Sequence, residues 1–262
     1  LHNALGGRIR FCVSGAAPLN PDVARFFHAA GIPIIEGYGM TENTSYTNAT
    51  RLDNLRFGSV GFPAPGVEQR IAPDGEILYR GRNVMKGYYR MPRETAKAID
   101  RNGWLHTGDL GMVDGNGFLF ITGRKKDLII TSGGKNIAPE PIESRLTTSR
   151  YIAQACVIGD RRKYLTALIT LDPDNAREFA QKEGIPLGEE GVPLDHPKII
   201  ALIEKEVAEV NRHLASYETV KRFTIVPEFT LEKGLATPTL KIKRAVIEAR
   251  YAKVINAMYP DD

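Results

Sequence analysis

Residues that could bind a small ligand are concentrated in a few glycine-rich or charged stretches. The first is EGYGMTE at 36–42. Glycines on both sides of Tyr38 let the backbone approach a planar group on which the tyrosine ring can stack. Thr41 adds a hydroxyl and Glu42 a carboxylate, which suit phosphate and Mg²⁺. The alternative is a glycine-rich turn with a packed tyrosine and a solvated Glu42.

Three further residues could complete such a site. Asp109 follows Gly108, and its short carboxylate could accept hydrogen bonds from a ribose diol, although an ordinary turn residue is the alternative. Arg124 lies near the start of GRKKDLIITSGGKNI at 123–137. Its forked guanidinium favours bidentate contact with a sugar or phosphate, whereas a surface hairpin is the alternative for this stretch. Lys241 lies in TPTLKIKR at 237–244, where an exposed lysine without a function is the alternative.

Two familiar phosphate motifs are absent. A P-loop ending at Lys135 would need glycine at 129 and serine or threonine at 136, but Ile129 and Asn136 stand there. A dinucleotide fingerprint beginning at Gly37 would need glycine or alanine at 42, where Glu42 stands. Any nucleotide site in this chain therefore has a different architecture.

Composition predicts a soluble globular protein with two domains. The chain has 262 residues, of which 42% are hydrophobic and 25% charged. Its net charge of +4 comes from interleaved acids and bases, which favours small anions over nucleic acid as ligands. Cys12 and Cys156 lie far apart in apolar contexts and are predicted to be buried free thiols in a reducing, cytoplasmic compartment. No apolar run approaches the roughly 18 residues of a membrane span, and no secretory signal is visible.

The predicted elements position these residues at the ends of strands. A strand at 9–13, a helix capped by Asn20 and a strand at 32–35 form an α/β unit, which binds ligands where its strands end. Short β-patterned runs between 58 and 89 predict a small antiparallel sheet or barrel. After residue 137 the pattern becomes α+β, with a core-packing helical stripe at 198–214. The predicted domains are 1–125, the last portion of a large α/β domain, and 126–262, a smaller α+β domain.

Four motifs in this order resemble those of the adenylate-forming, or AMP-binding, enzymes. They are YGMTE at 38–42, GWLHTGDLG at 103–111, GRKKDLIITSGGKNI at 123–137 and TPTLKIKR at 237–244. The form of these motifs is similar to that of long-chain fatty-acid CoA ligases, and the resemblance covers nearly the whole chain. It implies that a carboxylate is joined to AMP from ATP and that the acyl group then passes to coenzyme A.

The resemblance also implies roles for individual residues. The residues it assigns to the adenine pocket are Ser14, Gly15, Ala16, Gly37, Tyr38 and Gly39. Thr41 would contact phosphate, Glu42 would hold Mg²⁺, and Asp109 would accept the ribose hydroxyls beside Arg124.

The remaining roles fall around the domain border. In the family, a small C-terminal domain rotates on the large domain between the two half-reactions. Lys126 matches the hinge position, and Gly133 and Gly134 match the place where the pantetheine arm of coenzyme A passes close to the backbone. Lys241 matches the lysine that meets the carboxylate and the α-phosphate.

The sequence departs from the family pattern at three places. Ala16 stands where a glycine is common, and Leu240 precedes Lys241 where most members have glycine, a form that long-chain members share. The Ser/Thr/Gly-rich phosphate-binding loop that precedes these motifs in the family is not in the 262 residues. We therefore expect a C-terminal portion of a ligase that shows no turnover alone and binds AMP weakly at most.

Two alternatives remain at this point. One is a ligase that hands its acyl-AMP to a carrier protein instead of coenzyme A, and the other is a non-catalytic nucleotide-binding module. The predicted partners are a fatty acid, ATP and coenzyme A, without nucleic acid. The acyl substrate would also allow peripheral association with a membrane.

Overall fold

The structure is a computed structural model that describes residues 1–188, 191–238 and 241–260. It divides into two compact units, Leu1–Lys126 and Asp127–Asp262. The unit border thus falls one residue after the domain border predicted from the sequence. A hinge role for Lys126 stays a prediction.

The first unit contains two sheets and two longer helical segments. In chain order its elements are β1 (Cys12–Ser14), α1 (Pro21–Ala29), β2 (Ile34–Tyr38), β3 (Asn48–Ala49), β4 (Phe62–Pro63), β5 (Val67–Ile71), β6 (Glu76–Gly81), α2 (Pro92–Ala98), β7 (Leu105–Val113) and β8 (Leu119–Arg124). Strands β1 to β4 form one sheet and β5 to β8 the other. The mixed α/β class predicted from the sequence is confirmed.

The strand–helix–strand unit at the start of the chain is confirmed, with one shift. Strands β1 and β2 are parallel, and the Asn20 side chain caps α1 by accepting from the Asp22 N–H at 2.7 Å. However, β1 begins at Cys12 rather than at residue 9. The Cys12 N–H makes the first ladder bond, to the Pro33 carbonyl at 2.9 Å, and Cys12 is the first residue of β1 in register with β2.

Strand β2 runs further than predicted, through Gly37 to Tyr38. On one side it pairs in parallel with β1, and on the other it pairs antiparallel with β3, Gly37 opposite Ala49 and Tyr38 opposite Asn48. The Tyr38 side chain therefore projects from a strand held on both edges, not from a free loop.

The predicted small antiparallel sheet is present as β5-β6-β7-β8. Ile77, Tyr79 and Leu119 form its buried core, each 0% exposed. Helix α2 begins at Pro92, as the sequence predicts, because proline fixes the backbone of a first helical turn and needs no hydrogen bond there.

The second unit is an α+β fold, as predicted. In chain order its elements are β9 (Ile129–Ile130), β10 (Asn136–Ile137), α3 (Pro139–Leu146), β11 (Ile152–Ile158), β12 (Leu165–Leu171), α4 (Pro173–Lys182), α5 (Pro197–Asn211), β13 (Val220–Ile225), α6 (Arg244–Arg250) and α7 (Ala252–Ala257). Strand β12 lies between antiparallel β11 and parallel β13. The stripe of α5 is core, since Ile199, Ile203 and Val207 are buried.

Two sequence expectations on burial and membrane spans can be compared with this fold. Both cysteines are free, and Cys156 is buried while Cys12 is only partly buried. Within the described ranges, no helix combines the length and apolar character that crossing a bilayer demands.

A largely buried ion pair links α6 to α3 and β11, with 19% of the Arg244 and 13% of the Glu143 side chain exposed. The Arg244 guanidinium donates to Glu143 Oε1 at 2.7 Å and to the Val157 carbonyl at 2.6 Å. The same Glu143 oxygen accepts from the Val157 N–H at 2.7 Å. Burial raises the pKa of Glu143, while Arg244 and the Val157 N–H oppose that rise. Each charge is thus buried only because the other compensates it.

We predict that Arg244→Met lowers the free energy of unfolding of the second unit by about 3 kcal/mol, because it leaves the Glu143 carboxylate buried without a cation. Hydrogen exchange of β11 and β12 measures this effect. Arg250→Met removes an exposed charge from the same helix and should change exchange little. An equal effect of the two substitutions would show that Arg244 contributes no more than a surface charge.

Candidate functional site

Three of the predicted site residues meet at the junction of the two sheets of the first unit. The Tyr38 hydroxyl donates to Asp109 Oδ2 at 2.6 Å, and Arg124 Nε lies 3.1 Å from Asp109 Oδ1. Asp109 is 6% exposed, whereas the Arg124 side chain is 43% exposed. One carboxylate therefore joins strand β2 to strands β7 and β8, and an outward-reaching cation lies at its edge.

A bulge in β7 gives Asp109 its orientation. Glu76 of β6 pairs with Leu110 of β7, and Leu78 pairs with His106. Between these two pairs β7 therefore contains more residues than β6. Gly108 adopts φ 72°, and the Thr107 hydroxyl accepts from the Asp109 N–H at 3.1 Å. Bulges of this kind redirect a side chain from the plane of the sheet. Arg124 faces Asp109 because the two are opposite each other in the β7–β8 register.

Tyr38 remains a hydrogen-bond donor in this arrangement. Burial raises the pKa of Tyr38, and the charge of the Asp109 carboxylate raises it further. Asp109 Oδ2 accepts the Tyr38 hydrogen bond and Oδ1 forms the ion pair with Arg124, whereas a carboxylate has about four acceptor positions in all. The carboxylate could thus accept two further donors, as a sugar diol requires.

The predicted glycines differ in how much space a side chain would find at each position. A Cβ added at Gly39 would overlap the Ser45 carbonyl group, so the fold itself requires glycine there. At Gly37 the nearest atom to an added Cβ would be the Asn48 carbonyl oxygen, 3.7 Å away, which is an ordinary contact. Gly15 lies close by, since its Cβ would be 3.3 Å from the Gly37 carbonyl oxygen. A side chain would thus have room at Gly37 and be crowded at Gly15, and Ser14 lies opposite Glu36 in the β1–β2 register.

Ala16 occupies a backbone conformation that favours glycine. Its φ is 66°, in the left-handed region where a Cβ costs about 1 kcal/mol or more. This explains in physical terms why a glycine is common at this position and why an alanine is tolerated only at some cost.

Thr41 and Glu42 form a short 3₁₀ turn, Thr41–Asn43, that is braced by the segment after β6. Glu42 Oε1 accepts from the Tyr88 hydroxyl at 2.8 Å, and the Glu42 carbonyl accepts from the Met85 N–H at 2.7 Å. Asn83 adds a third brace through its carbonyl, which accepts from the Thr44 hydroxyl at 2.7 Å. The Glu42 carboxylate is thus held in place by a residue far away in the sequence.

The donor set at Glu42 fits Mg²⁺ bound through a substrate. Within the described ranges no group of three or more His, Cys, Asp or Glu side chains could hold a metal. Mg²⁺ commonly binds one or two carboxylates and completes its shell with water and substrate phosphates. Glu42 alone suits that mode, because its second oxygen accepts no hydrogen bond from the described part of the chain.

Glu36 is a buried carboxyl directly before Gly37. It is 8% exposed, and its Oε1 accepts from the Gly58 N–H at 3.4 Å. Burial raises the pKa of Glu36 to about 7 against the opposing effect of backbone N–H groups. The strand that carries Tyr38 therefore contains a group that gains charge near neutral pH.

The predicted glycine pair of the second unit lies in the loop of the β9–β10 hairpin, so the surface hairpin considered from the sequence is present. The Thr131 N–H donates to the Lys135 carbonyl at 3.1 Å, and Gly134 has φ 72°. A Cβ at Gly134 would meet nothing within 4 Å, and one at Gly133 would lie 3.9 Å from Thr131 Oγ1. The loop is open on its outer side. Lys126 lies in the 3₁₀ turn Lys125–Asp127 before the hairpin.

Lys241 is exposed at the end of a short loop that is tied down on both sides. The Thr237 N–H donates to the Lys241 carbonyl at 2.8 Å, and the Lys241 N–H donates to the Thr237 hydroxyl at 3.0 Å. Three residues later Arg244 enters the buried ion pair. Leu240, noted above for its departure from the family pattern, lies outside the described residues. Gly133, Gly134 and Lys241 thus lie on loops whose ends are joined by hydrogen bonds.

Sequence reasoning missed the residues that hold the site residues in place. Tyr88 was not singled out, although an exposed aromatic after Gly87 in a charged loop is an available signal. Glu143 lies on the apolar stripe of α3 with Ile142 and Leu146, and an acid on such a stripe indicates a buried cationic partner.

Comparison with family models covers both units. Residues 2–89 match the model described as AMP-binding enzyme, and residues 126–262 match the AMP-binding enzyme C-terminal domain. The second match alone spans more than half of the chain. This chain belongs to the AMP-binding enzymes.

The names of similar proteins are consistent with this family. The chain is 42% identical over 261 residues to the long-chain-fatty-acid–CoA ligase FadD15 of Mycobacterium tuberculosis, covering 99% of this chain and 43% of that protein. It is 38% identical over 276 residues to the peroxisomal long chain acyl-CoA synthetase 7 of Arabidopsis thaliana, covering 98% of this chain and 39% of that protein. The chain spans less than half the length of these relatives.

Solved structures of other proteins share the fold of this chain. The anthranilate CoA ligase AuaEII, in complex with anthranoyl-AMP, is 26% identical with a TM-score of 0.71 over 92% of this chain and 44% of that chain. The adenylation domain of a carboxylate reductase from Mycobacterium chelonae shares the fold, with 24% identity and a TM-score of 0.80 over 99% of this chain and 40% of that chain.

We predict that Gly39→Ala destabilises the first unit by about 2 kcal/mol or more, because the new methyl group overlaps the backbone at Ser45. Trp104 is the single tryptophan and lies in this unit, so its fluorescence during urea unfolding reports the change. Gly115→Ala is the matched control, since a Cβ there meets nothing within 4 Å. Equal unfolding midpoints for the two variants would contradict this account of Gly39.

A second prediction concerns the pH dependence of the first unit. Because the pKa of Glu36 is raised from 4.5 to about 7, stability is full below 4.5 and is lost as the pH rises through 7. Glu36→Gln should remove this loss and raise the free energy of unfolding of the unit by about 2 kcal/mol at pH 8. This value is lower than the full pKa shift implies, because solvent partly screens the charge. Urea unfolding of both proteins at pH 4.5 and 8 measures the difference. A gain of the same size at both values would exclude titration of Glu36 as its source.

Proposed function

We propose that this chain is part of a long-chain fatty-acid CoA ligase. The reaction consumes ATP, a fatty acid and coenzyme A, and yields acyl-CoA, AMP and diphosphate. Family membership and the names of relatives with 38–42% identity support the acid–thiol ligase activity. The observation that carries the proposal is the buried Asp109, held by Tyr38 and Arg124 beside the approachable backbone of Gly37.

This arrangement supports recognition of an adenosine. Asp109 retains acceptor positions for the two ribose hydroxyls, and Arg124 lies beside it to bind a sugar or phosphate oxygen. Ser14, Gly15, Ala16, Gly37 and Gly39 would surround the adenine, with the Tyr38 ring against its face. Asp109 would thus orient the sugar so that the α-phosphate is directed towards Thr41.

In the first half-reaction a carboxylate oxygen of the fatty acid attacks the α-phosphorus of ATP, and the bond to the diphosphate breaks. Negative charge develops between the carboxylate and the phosphate. A cation held there in advance lowers the barrier by about 3 kcal/mol or more. We assign this role to Lys241 and contact with the phosphate to Thr41. Glu42 would hold Mg²⁺, which would neutralise charge on the phosphates.

In the second half-reaction the sulfur of coenzyme A attacks the acyl carbonyl carbon, and the bond to AMP breaks. The thiol proton is released to solvent or to AMP. The open outer side of the Gly133–Gly134 loop leaves room for the narrow pantetheine arm to lie against the backbone. Rotation about Lys126 between the half-reactions is part of the same proposal, as are peripheral membrane association and a reducing, cytoplasmic location.

We predict that Lys241→Ala lowers the rate of acyl-AMP formation at least 100-fold, because it removes the cation at the developing charge. The assay uses a chimera. This chain is joined to the part of FadD15 that has no counterpart in these 262 residues. Acyl-CoA formation from added acyl-AMP should be retained within a few fold. Lys243→Ala removes a neighbouring exposed cation and should leave both rates unchanged. Unaltered adenylation in Lys241→Ala would refute the role of Lys241.

The similarity to a carboxylate reductase adenylation domain favours a second candidate, a ligase that loads a carrier protein. The same chimera, given ATP and fatty acid, distinguishes the two when it is offered coenzyme A alone or a phosphopantetheinyl carrier protein alone. Formation of acyl-CoA supports the first proposal. Acylation of the carrier protein without formation of acyl-CoA supports the second. The chain by itself is expected to show no turnover.

A further inference from the structure

The segment from Arg82 to Arg93, between β6 and α2, presents aromatic and apolar groups to the outside. The Met91 N–H donates to the Tyr88 carbonyl at 3.1 Å and closes a turn in which Arg90 has φ 54°. Tyr89, within this turn, is 82% exposed, and Met91 is 51% exposed. We call this segment the Arg82–Arg93 loop. The backbone that carries these outward side chains is closed into a turn by a hydrogen bond.

The same loop is strongly basic. Its sequence, RNVMKGYYRMPR, contains four cations and no acid. The cations are Arg82, Lys86, Arg90 and Arg93. None of them makes an ion pair with the described part of the chain, whereas the flanking Arg80 and Lys97 pair with Glu68 and Glu94. The Arg90 guanidinium lies over the Tyr89 ring, 5.1 Å from its centre. The loop thus carries four cations without an ion pair to the described residues, and the nearby Glu42 carboxylate is bonded to the Tyr88 hydroxyl instead.

A pocket of about 530 Å³ opens beside the turn. Met91, Pro92 and Ala96 give it an apolar wall, and Lys86 and Arg90 also line it. Gly87 allows α2 to close the pocket, because an added Cβ would lie 2.6 Å from the Thr95 methyl carbon. The Tyr88 N–H donates to the Thr95 hydroxyl at 2.9 Å and fixes this contact. An anionic head group at the cations and a hydrocarbon segment at the wall could therefore be bound together.

We propose that the Arg82–Arg93 loop is a contact surface for an anionic lipid bilayer. Tyrosine is favoured at the boundary between lipid and water, where its ring is in contact with hydrocarbon and its hydroxyl is hydrated. Each lysine or arginine near an anionic leaflet adds a similar increment of attraction, and four lie within twelve residues. A single-stranded nucleic acid fits less well, since it requires several rings along a groove, and the loop offers only Tyr89 and the less exposed Tyr88. The proposal assigns a surface to the membrane association proposed above and does not depend on the ligase activity.

Sedimentation of the chain with lipid vesicles, without ATP or fatty acid, tests this surface. We expect binding to vesicles of equal parts phosphatidylcholine and phosphatidylglycerol, little binding to phosphatidylcholine alone, and weaker binding as salt is raised. Replacing all four cations by glutamine should lower the partition coefficient by roughly 100-fold. Tyr89→Ser should lower it several-fold and leave the salt dependence unchanged.

A matched control separates a local surface from net charge. It replaces four exposed cations of the second unit by glutamine, namely Lys205, Lys221, Arg250 and Lys253. This variant has the same net charge as the loop variant and should bind vesicles within about two-fold of the unaltered chain. An equal loss in both variants would overturn the proposal, as would equal binding to neutral and anionic vesicles.

Two further measurements keep the test decisive. Trp104 fluorescence shows whether the loop variant is folded, and hydrogen exchange of the unaltered chain with anionic vesicles requires no variant. Protection should centre on residues 82–93, and protection confined to other segments would exclude this loop. Binding of an oligonucleotide that the loop substitutions abolish, without binding to vesicles, would assign the loop to nucleic acid instead. Each of these outcomes leaves the proposed ligase activity unaffected, because no turnover is measured.

Discussion

The hydrogen bond between the Tyr38 hydroxyl and the Asp109 carboxylate connects the two sheets of the first unit. It joins the last residue of a strand in the α/β sheet to a bulge in the antiparallel sheet, 71 positions apart in sequence. A buried carboxylate without donors would be costly, so Tyr38 and Arg124 make the position of Asp109 possible. The Asn48 side chain on β3 adds two more polar contacts between the sheets, since it donates to Gln69 Oε1 and accepts from the Tyr79 hydroxyl, both at 2.7 Å. The geometry of the candidate nucleotide site depends on the Tyr38 contact, because it holds Asp109.

In the second unit a comparable constraint acts through charge. Glu143 and Arg244 satisfy each other and the backbone of β11, and Arg244 begins the helix that follows the Lys241 loop. Removing either partner would leave a buried charge, whereas the exposed ion pairs elsewhere, such as Arg25 with Asp22, contribute little. The exposed Lys241 is therefore carried on a loop that leads directly into this ion pair.

Much of the fold could be predicted from local signals. Asn20 followed by Pro21 identifies the start of α1, Pro92 the start of α2, and the spacing of Ile199, Ile203 and Val207 the buried face of α5. The start of β1 could not be predicted in the same way, because the extent of a strand depends on its partner. Residues 9–11 alternate like a strand, but the ladder with β2 begins only at Cys12. For the same reason the extension of β2 to Tyr38 depends on β3.

In the candidate site, too, some residues could be predicted from local sequence and others could not. The motifs identify Tyr38, Glu42, Asp109 and Arg124, and the structure brings three of them together within hydrogen-bond distance. The residues that support them could not be found by spacing, since Tyr88 contacts Glu42 across 46 positions of sequence. Nor does the sequence distinguish Gly39, where the fold excludes a side chain, from Gly37, where it does not.

The hairpin loop at Gly133 has room for a side chain. Its φ lies outside the left-handed region, and the nearest atom to an added Cβ is 3.9 Å away. A cysteine at this position would be far more accessible than the buried Cys156 or the partly buried Cys12. The loop is consequently a natural attachment point for a spin label or fluorophore, with which its surroundings could be followed in solution.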